Sequence, residues 1–166
     1  MNSCMFNARN IAAVALTAGF FGFSSGPSNA ADTLLAHFAG NWSGNGKITT
    51  NDGNSERIRC RSNNASTAKG LNLSLRCASD SYKFELASDV TNDGGNISGS
   101  WNETTRGVVG SLAGKATASN IQAAASAVGF NASLAIRLSG NSMSVAIRSP
   151  GSEISEVTVS MARGGR

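Results

Sequence analysis

Residues 56–78 contain two runs that alternate strictly between apolar and polar side chains, and each run carries one cysteine. In the first run Ile58 and Cys60 share one side, and in the second run leucines share a side with Cys77. A period of two predicts two half-buried β-strands. The polar link between them ends in Gly70, so the strands can pair antiparallel. If Cys60 lies opposite Cys77, both sulfur atoms point toward the apolar side.

The rest of the chain repeats this pattern in short runs separated by clusters of Gly, Asn, Asp and Ser. Such spacing predicts an all-β protein of about nine or ten strands. Residues 32–38 predict one or two helical turns before the first strand, with Asp32 or Thr33 as the cap. Residues 117–128 are rich in alanine and serine, which fits a strand around Ile121 or a short helix, and we favour the strand. Ile154 breaks the alternation of the last strand and indicates a β-bulge.

The order of the predicted strands restricts the fold. No helical crossover separates them, so parallel βαβ units are excluded and neighbouring strands should pair antiparallel. Strands with one apolar face bury it either in a closed up-and-down barrel or in a sandwich. The short links favour a single barrel of about eight to ten strands with a short N-terminal helix, because sandwiches need longer connections. A β-sandwich is the alternative.

The first 30 residues have the features of a secretory signal peptide. Arg9 precedes an apolar run over residues 11–23, and small residues follow at Ser28 and Ala30. This order predicts cleavage before Ala31, or one residue later. The apolar run is short for a membrane span, although a retained anchor is the alternative. Residues 31–166 then form one domain without an integral membrane span, in the periplasm or outside the cell.

Cys4 would leave with the signal peptide, and export would place the other two cysteines, Cys60 and Cys77, in an oxidising compartment. We therefore predict a disulfide between Cys60 and Cys77, with a pair of buried free thiols as the alternative. His37 is the single histidine of the sequence, so a metal site is not expected.

The charge of the chain is mildly basic. Its 14 basic and 10 acidic residues give a net charge of +4, which falls by one if Arg9 leaves with the signal peptide. No nucleic-acid partner is expected at this charge. Four arginines share the outer side of the cysteine hairpin: Arg57, Arg59, Arg61 and Arg76. They form either a site for an acidic partner, lipopolysaccharide or phosphate, or a solvated face that discourages pairing of sheet edges.

The residues Gly40-Asn41-Trp42 follow the predicted helix and open the first strand, and Arg163 ends the last strand. This arrangement resembles the calycin barrels, which include lipocalins and avidins. The resemblance implies that Arg163 packs on Trp42 and closes one end of the barrel, as a cation–π contact would allow. Alternatively, Trp42 is ordinary core and Arg163 an ordinary tail residue.

Two further resemblances concern location and partners. On residues 98–107, followed by Gly110 and Gly114, the chain resembles small uncharacterised exported proteins of α-proteobacteria. This resemblance implies a periplasmic location and no particular activity. The chain is also similar to periplasmic inhibitors of secreted metalloproteases, whose N-terminal segment enters the protease cleft. Residues 31–35 differ from that family's inhibitory segment.

No arrangement typical of catalysis is recognisable in the sequence. A nucleophilic triad needs a histidine base, and His37 lies on the predicted helical turn beside Phe38. Phosphate-binding loops, dinucleotide fingerprints and closely spaced cysteine pairs do not occur. A glycosidase-like reaction needs a pair of carboxylates, but four glutamates are predicted to face outward or lie near turns: Glu85, Glu103, Glu153 and Glu156. We predict a protein that is not an enzyme and has no cofactor.

The interior of the barrel suggests the function. A barrel of about eight to ten strands is either filled by side chains or holds one small ligand. Many positions are Gly, Ala or Ser, which leaves room, and strand glycines at 44, 46, 107, 110 and 114 would suit a tightly curved wall. The favoured hypothesis is a monomer that binds a small apolar or amphipathic ligand, with Trp42, Tyr82, Phe84 and Trp101 in the wall. The alternatives are a protein-interaction module, such as a protease or lysozyme inhibitor, and an envelope structural protein with a solid core.

Overall fold

The computed structural model describes residues 34–164 of the chain. A short 3-10 helix, Leu35–Phe38, is followed by ten β-strands. The strands are β1 (Gly40–Thr50), β2 (Ser55–Ser66), β3 (Gly70–Ala78), β4 (Lys83–Asp93), β5 (Asn96–Glu103), β6 (Val108–Ala116), β7 (Asn120–Ala127), β8 (Phe130–Ser139), β9 (Ser142–Arg148) and β10 (Ile154–Arg163). The predicted signal peptide, residues 1–30, and the predicted helix caps Asp32 and Thr33 lie outside the described residues. Among residues 34–164, no helix has the length and apolar character needed to span a membrane.

The strands form one closed antiparallel barrel. Each strand pairs with the next one in sequence, and β1 pairs with β10 to close the sheet. The predicted up-and-down barrel is therefore confirmed, and the sandwich alternative is wrong. β7 confirms the strand interpretation of residues 117–128. The bulge predicted at Ile154 is also present, because the register of β1 against β10 shifts between Thr49 and Thr50.

Glycines make the seam between β1 and β10 possible. A Cβ atom at Gly44 would overlap the carbonyl oxygen of Ser160, and one at Gly46 would overlap that of Thr158. Residues with side chains therefore cannot replace them without moving the backbone of β10. The prediction that Gly107 also stands on a strand is wrong. It lies in the turn before β6 with a φ of +66°, a conformation that glycine adopts without strain.

The cysteine hairpin forms as predicted. Cys60 on β2 lies directly opposite Cys77 on β3, and the two are joined by a disulfide. Both side chains face the interior, with 2% and 5% of their surface exposed. The register also places Ser62 opposite Leu75, as the alternation of the two runs predicted.

The 3-10 helix closes one end of the barrel, hereafter the plugged end. Leu35 and Phe38 are fully buried there, so the predicted helix is reduced to one turn that packs against β2 and β3. The Phe38 carbonyl oxygen accepts hydrogen bonds from Trp42 Nε1 (3.1 Å) and Asn64 Nδ2 (2.9 Å). Barrel side chains thus satisfy a carbonyl that a helix end leaves without an intrahelical partner.

Arg163 fastens the same end from the last strand. Its guanidinium lies 4.2 Å from the ring centre of Trp42 and donates hydrogen bonds to the carbonyl oxygens of His37 (2.8 Å) and Ala39. The structure therefore places Arg163 on Trp42 as the resemblance implied, and this contact links β10, β1 and the helix.

Candidate functional site

The interior is packed differently at its two ends. Several side chains toward the plugged end are almost fully buried, among them Trp42, Leu71, Ile97 and Met143, whereas Val90 and Leu138 there are partly exposed. The opposite end, hereafter the mouth, is formed by the turns at 51–54, 79–82, 104–107, 128–129 and 149–153. Seven apolar residues toward the mouth are only partly buried although they belong to the wall of the core: Tyr82, Phe84, Leu86, Val108, Phe130, Leu134 and Val157. Solvent therefore reaches the apolar lining from this end.

Small residues keep the wall thin on the side of β6, β7 and β8. Glycine or alanine occupies inward positions on all three strands: Gly110, Gly114, Ala116, Ala123, Ala125, Ala127 and Ala132. The indole of Trp101 lies against this side, since a Cβ at Gly110 would come within 2.5 Å of Trp101 Cε2. Trp101 also donates from Nε1 to the Ser111 carbonyl (3.1 Å) and meets Phe130 edge to face at 5.6 Å.

The four predicted wall aromatics fall into separate places. Tyr82 and Phe84 lie at the mouth with parallel rings 6.3 Å apart, and Trp101 lies on the inner wall. Trp42 lies at the plugged end and is only 2% exposed. Phe130 contacts Trp101 and completes the aromatic wall, although it was not among the predicted site residues. The alternation of β8 already turned Phe130 inward, so the sequence carried this signal.

A cavity of about 320 Å³ opens at the mouth. Ile48, which is fully buried, lines it together with Tyr82. The other lining residues are polar and come from three turns and the adjoining strand ends: Thr50, Asn51, Asp52, Asn54, Ser55, Glu56, Ser81 and Glu153. The cavity therefore combines an apolar base with a polar rim.

The rim of this cavity is acidic. The Thr50 hydroxyl and the Asn54 backbone N–H hold the pKa of Asp52 below its ordinary value. The Ser81 backbone N–H and the Ser79 hydroxyl do the same for the pKa of Glu56. These groups favour the charged carboxylates, so both are ionised at neutral pH.

Tyr82 stays protonated beside these carboxylates. Burial first, and then the charge of Glu153, raise the pKa of its phenol. Its hydroxyl donates to Glu153 Oε1 at 3.4 Å. The phenol therefore presents a neutral polar group between the acidic rim and the aromatic wall.

Glu103 lies elsewhere on the mouth. It stands next to the turn at 104–107, which is one of the two predicted placements, but the other is wrong, because it is 9% exposed and faces inward at the end of β5. Its carboxylate accepts hydrogen bonds from the backbone N–H groups of Glu85 (3.1 Å), Thr105 (3.1 Å) and Arg106 (2.9 Å) and from the Thr105 hydroxyl. Burial raises the pKa of Glu103, but these hydrogen bonds outweigh it, so the net pKa lies below the ordinary value.

The carboxylate of Glu103 fixes the turn that carries Arg106. Arg106 forms an ion pair with it, at 3.6 Å, and places its guanidinium 4.9 Å from the ring centre of Phe84. One face of Phe84 is thus occupied by a cation. No pattern in the sequence indicates this contact, because it depends on the pairing of β4 with β5.

The predicted arginine stripe lies on the outer surface. Arg57, Arg59 and Arg61 follow one another on β2, and Arg76 lies directly opposite Arg61 on β3. Lys47 on β1 lies opposite Arg57 and adds a fifth exposed cation to the four predicted ones. These five residues are hereafter the basic face.

Two other features lie apart from the mouth. His37 is exposed on the 3-10 helix. A shallow groove of about 380 Å³ runs over the outside of β1, β10, β9 and β8, with Lys47 and Arg137 among its lining residues. Across residues 34–164, acidic, histidine and cysteine side chains form no group of three that would hold a metal ion.

Comparison with known proteins supports the fold. No protein-family model and no curated protein matches the sequence. Among solved structures, the crystal structure of Rv2717c from M. tuberculosis is similar, with a TM-score of 0.64 and 13% sequence identity. The match covers 82% of this chain and 98% of that chain. At this identity the likeness extends to the ten-stranded barrel fold alone.

Proposed function

We propose that the protein binds a small apolar or amphipathic ligand through the mouth of the barrel and does not act as an enzyme. The observation that carries this proposal is the partial exposure of the apolar side chains that face inward at the mouth. Water against such a lining is displaced favourably by an apolar group, at roughly 25 cal/mol per Å² of surface removed from water. Small-molecule sites are typically concave, with apolar walls that bind the ligand and polar groups that orient it. Here the cavity itself is lined mostly by polar residues, and the apolar surface is that of the partly exposed wall.

The rim favours ligands with a neutral or cationic head group. Asp52, Glu56 and Glu153 surround the cavity at the mouth, and none of the three forms an ion pair among the described residues. Two cations at the mouth, Lys83 and Arg106, are each paired with a glutamate, and Arg57, which follows Glu56, is on the outer side of β2. An anionic head group would therefore approach uncompensated carboxylates, whereas an amine would be attracted.

The disulfide supports a location outside the cytoplasm. Cys60 and Cys77 are bonded across two paired strands, and structural disulfides persist in oxidising compartments. We therefore place the proposed binding activity in the periplasm or outside the cell.

A fluorescent probe tests the proposal directly. N-phenyl-1-naphthylamine, which brightens in apolar surroundings, is titrated into the purified protein, and dodecylamine, dodecanol and dodecanoate then compete with it. We expect saturable enhancement, with displacement by the amine and the alcohol at lower concentration than by the carboxylate. Absence of saturable enhancement would remove the proposal, and preference for the carboxylate would remove the role of the acidic rim.

A pair of substitutions on one strand locates the site. Ala125 on β7 faces inward and is partly exposed, whereas its neighbour Ala124 faces outward. Ala125→Phe should fill the interior and weaken probe binding at least tenfold, while Ala124→Phe should leave it unchanged. Thermal unfolding of both variants establishes that each is folded. Equal probe affinity of the two folded variants would show that the probe binds outside the barrel.

A further inference from the structure

We propose that the basic face is a docking surface for an anionic phospholipid bilayer. It comprises Lys47, Arg57, Arg59, Arg61 and Arg76 on the outside of β1, β2 and β3. All five are exposed. The proposal concerns the outer surface only and does not depend on whether the barrel holds a ligand.

The register of the strands concentrates the five charges. Lys47 lies opposite Arg57, and Arg61 lies opposite Arg76. Outward residues on one strand recur about every 7 Å, and neighbouring strands are about 4.8 Å apart. The basic face thus places five positive charges within roughly 14 by 10 Å.

The described part of the chain does not neutralise these charges. Its ion pairs are Lys83–Glu85, Arg106–Glu103 and Arg148–Glu156, and none includes a residue of the basic face. Glu85 lies opposite Arg76 in the register, but its carboxylate is 3.1 Å from Lys83 Nζ. Like charges directly opposite each other on paired strands destabilise a sheet. Folding therefore gains nothing from this cluster, which is consistent with a partner that supplies negative charge.

The composition of the face favours a lipid surface over a protein. Specific protein interfaces are anchored by aromatic or aliphatic side chains in a core depleted of charge. The outward neighbours here are small or polar, such as Ser43, Asn45 and Ser74. The exposed large hydrophobics of the described residues, Val109 and Val128, lie on β6 and after β7, across the barrel. A bilayer rich in anionic head groups needs only charge to bind such a face.

Vesicle sedimentation tests the proposal. The purified protein is mixed with vesicles of phosphatidylglycerol and phosphatidylcholine in equal parts, or with phosphatidylcholine alone. We expect sedimentation with the anionic vesicles in dilute buffer, none with the neutral vesicles, and release at about 1 M salt, where charges are screened beyond about 3 Å. No sedimentation with the anionic vesicles, or binding that survives this salt, overturns the proposal.

A matched pair of single variants assigns the binding to this face. Arg59→Gln removes one charge from the basic face. Lys115→Gln removes one exposed charge from β6, which is four strands away from β2 around the barrel. Because one basic residue near an anionic surface contributes about fivefold to partitioning, Arg59→Gln should bind about fivefold more weakly and Lys115→Gln should bind as the wild type. An equal loss in both variants would show that net charge, and not this face, determines binding.

Competition with a soluble polyanion separates the lipid surface from another acidic partner. Polyglutamate at the same ionic strength should displace the protein from vesicles only at a large molar excess of carboxylates over lipid phosphates. Tight binding to polyglutamate, with weak binding to anionic vesicles, would assign the face to an acidic protein and overturn the lipid proposal.

Discussion

Arg163 connects the last strand to the segment that precedes the first one. It stacks on Trp42 and donates hydrogen bonds to the carbonyl oxygens of His37 and Ala39. It therefore links β10 to β1 and to the 3-10 helix. We expect Arg163→Ala to lower the free energy of unfolding by about 2 kcal/mol, from the loss of the cation–π contact and the hydrogen bonds. Denaturant titration measures this change.

A second arginine provides the comparison for Arg163. Arg148 forms an exposed ion pair with Glu156, and such pairs contribute little to stability, about 0–1 kcal/mol. Arg148→Ala should therefore lower the free energy of unfolding less than Arg163→Ala does. Equal losses would mean that Arg163 does not hold the 3-10 helix in place.

Glu103 makes stability depend on pH. Its pKa is lower in the folded protein than its ordinary value of 4.5, so its stabilising contribution is present above about pH 4.5 and is lost as the pH falls through the lowered pKa. Glu103→Gln should cost about 1–2 kcal/mol at neutral pH, because hydrogen bonds to a charged acceptor are replaced by weaker ones. Unfolding midpoints of both proteins between neutral and acidic pH test this, and they should converge at low pH. A gap between them that is independent of pH would contradict the assignment.

The sequence indicated some of these residues and not others. Alternation placed Trp101 inward, and two positions later it also placed Glu103 inward, but a buried carboxylate is costly unless it is hydrogen-bonded. The N–H groups that stabilise it belong to the following turn and to β4, whose positions depend on strand register. The contact of Arg106 with Phe84 was unpredictable for the same reason.

The disulfide of the cysteine hairpin should make a measurable contribution to the stability of the barrel. Cys60 and Cys77 are 17 residues apart, and the chain-entropy account assigns such a loop about 3 kcal/mol. We expect Cys60→Ala with Cys77→Ala to lower the free energy of unfolding by roughly this amount. Denaturant titration with and without a reductant checks it, since the reductant should affect the wild type and leave the double variant unchanged. A double variant as stable as the wild type would show that strand pairing alone holds the hairpin.

The strands themselves were predictable because almost every one has a single apolar face. The register of β2 against β3 followed from pairing the two cysteines. The least regular segment, β7, is an alanine-rich strand whose type could not be decided by periodicity, because alanine is equally acceptable on either face. The turn at Gly107 was misassigned to a strand, since glycine is compatible both with a positive φ and with a curved strand.

A bound ligand should stabilise the entire barrel against unfolding. A ligand that binds only the folded state contributes about 2.7 kcal/mol at a hundredfold excess over its Kd. For a domain of this size we expect dodecylamine to raise the unfolding temperature by about 10 °C. Calorimetry or circular dichroism measures the shift. The Ala125→Phe variant should lose most of this shift, and a shift of equal size in both proteins would place the ligand outside the interior.

The closure of the sheet was predicted from the short links, but the contents of the barrel were not. The alternation shows which side chains point inward. It does not show how far they reach or how much space lies between them, because this depends on the curvature that Gly44 and Gly46 permit at the seam.

The closing seam also brings distant parts of the chain together. The Gly164 N–H donates to the Asn41 carbonyl at 2.8 Å, and β10 meets β1 in the same antiparallel way as any hairpin. The architecture is consequently circular, and the place where the polypeptide is interrupted is arbitrary. A permuted chain, linked from residue 164 to residue 34 and opened at Gly94–Gly95, would keep every strand pairing and the 3-10 helix, which makes this barrel suitable for moving its termini from the seam to another turn of the plugged end.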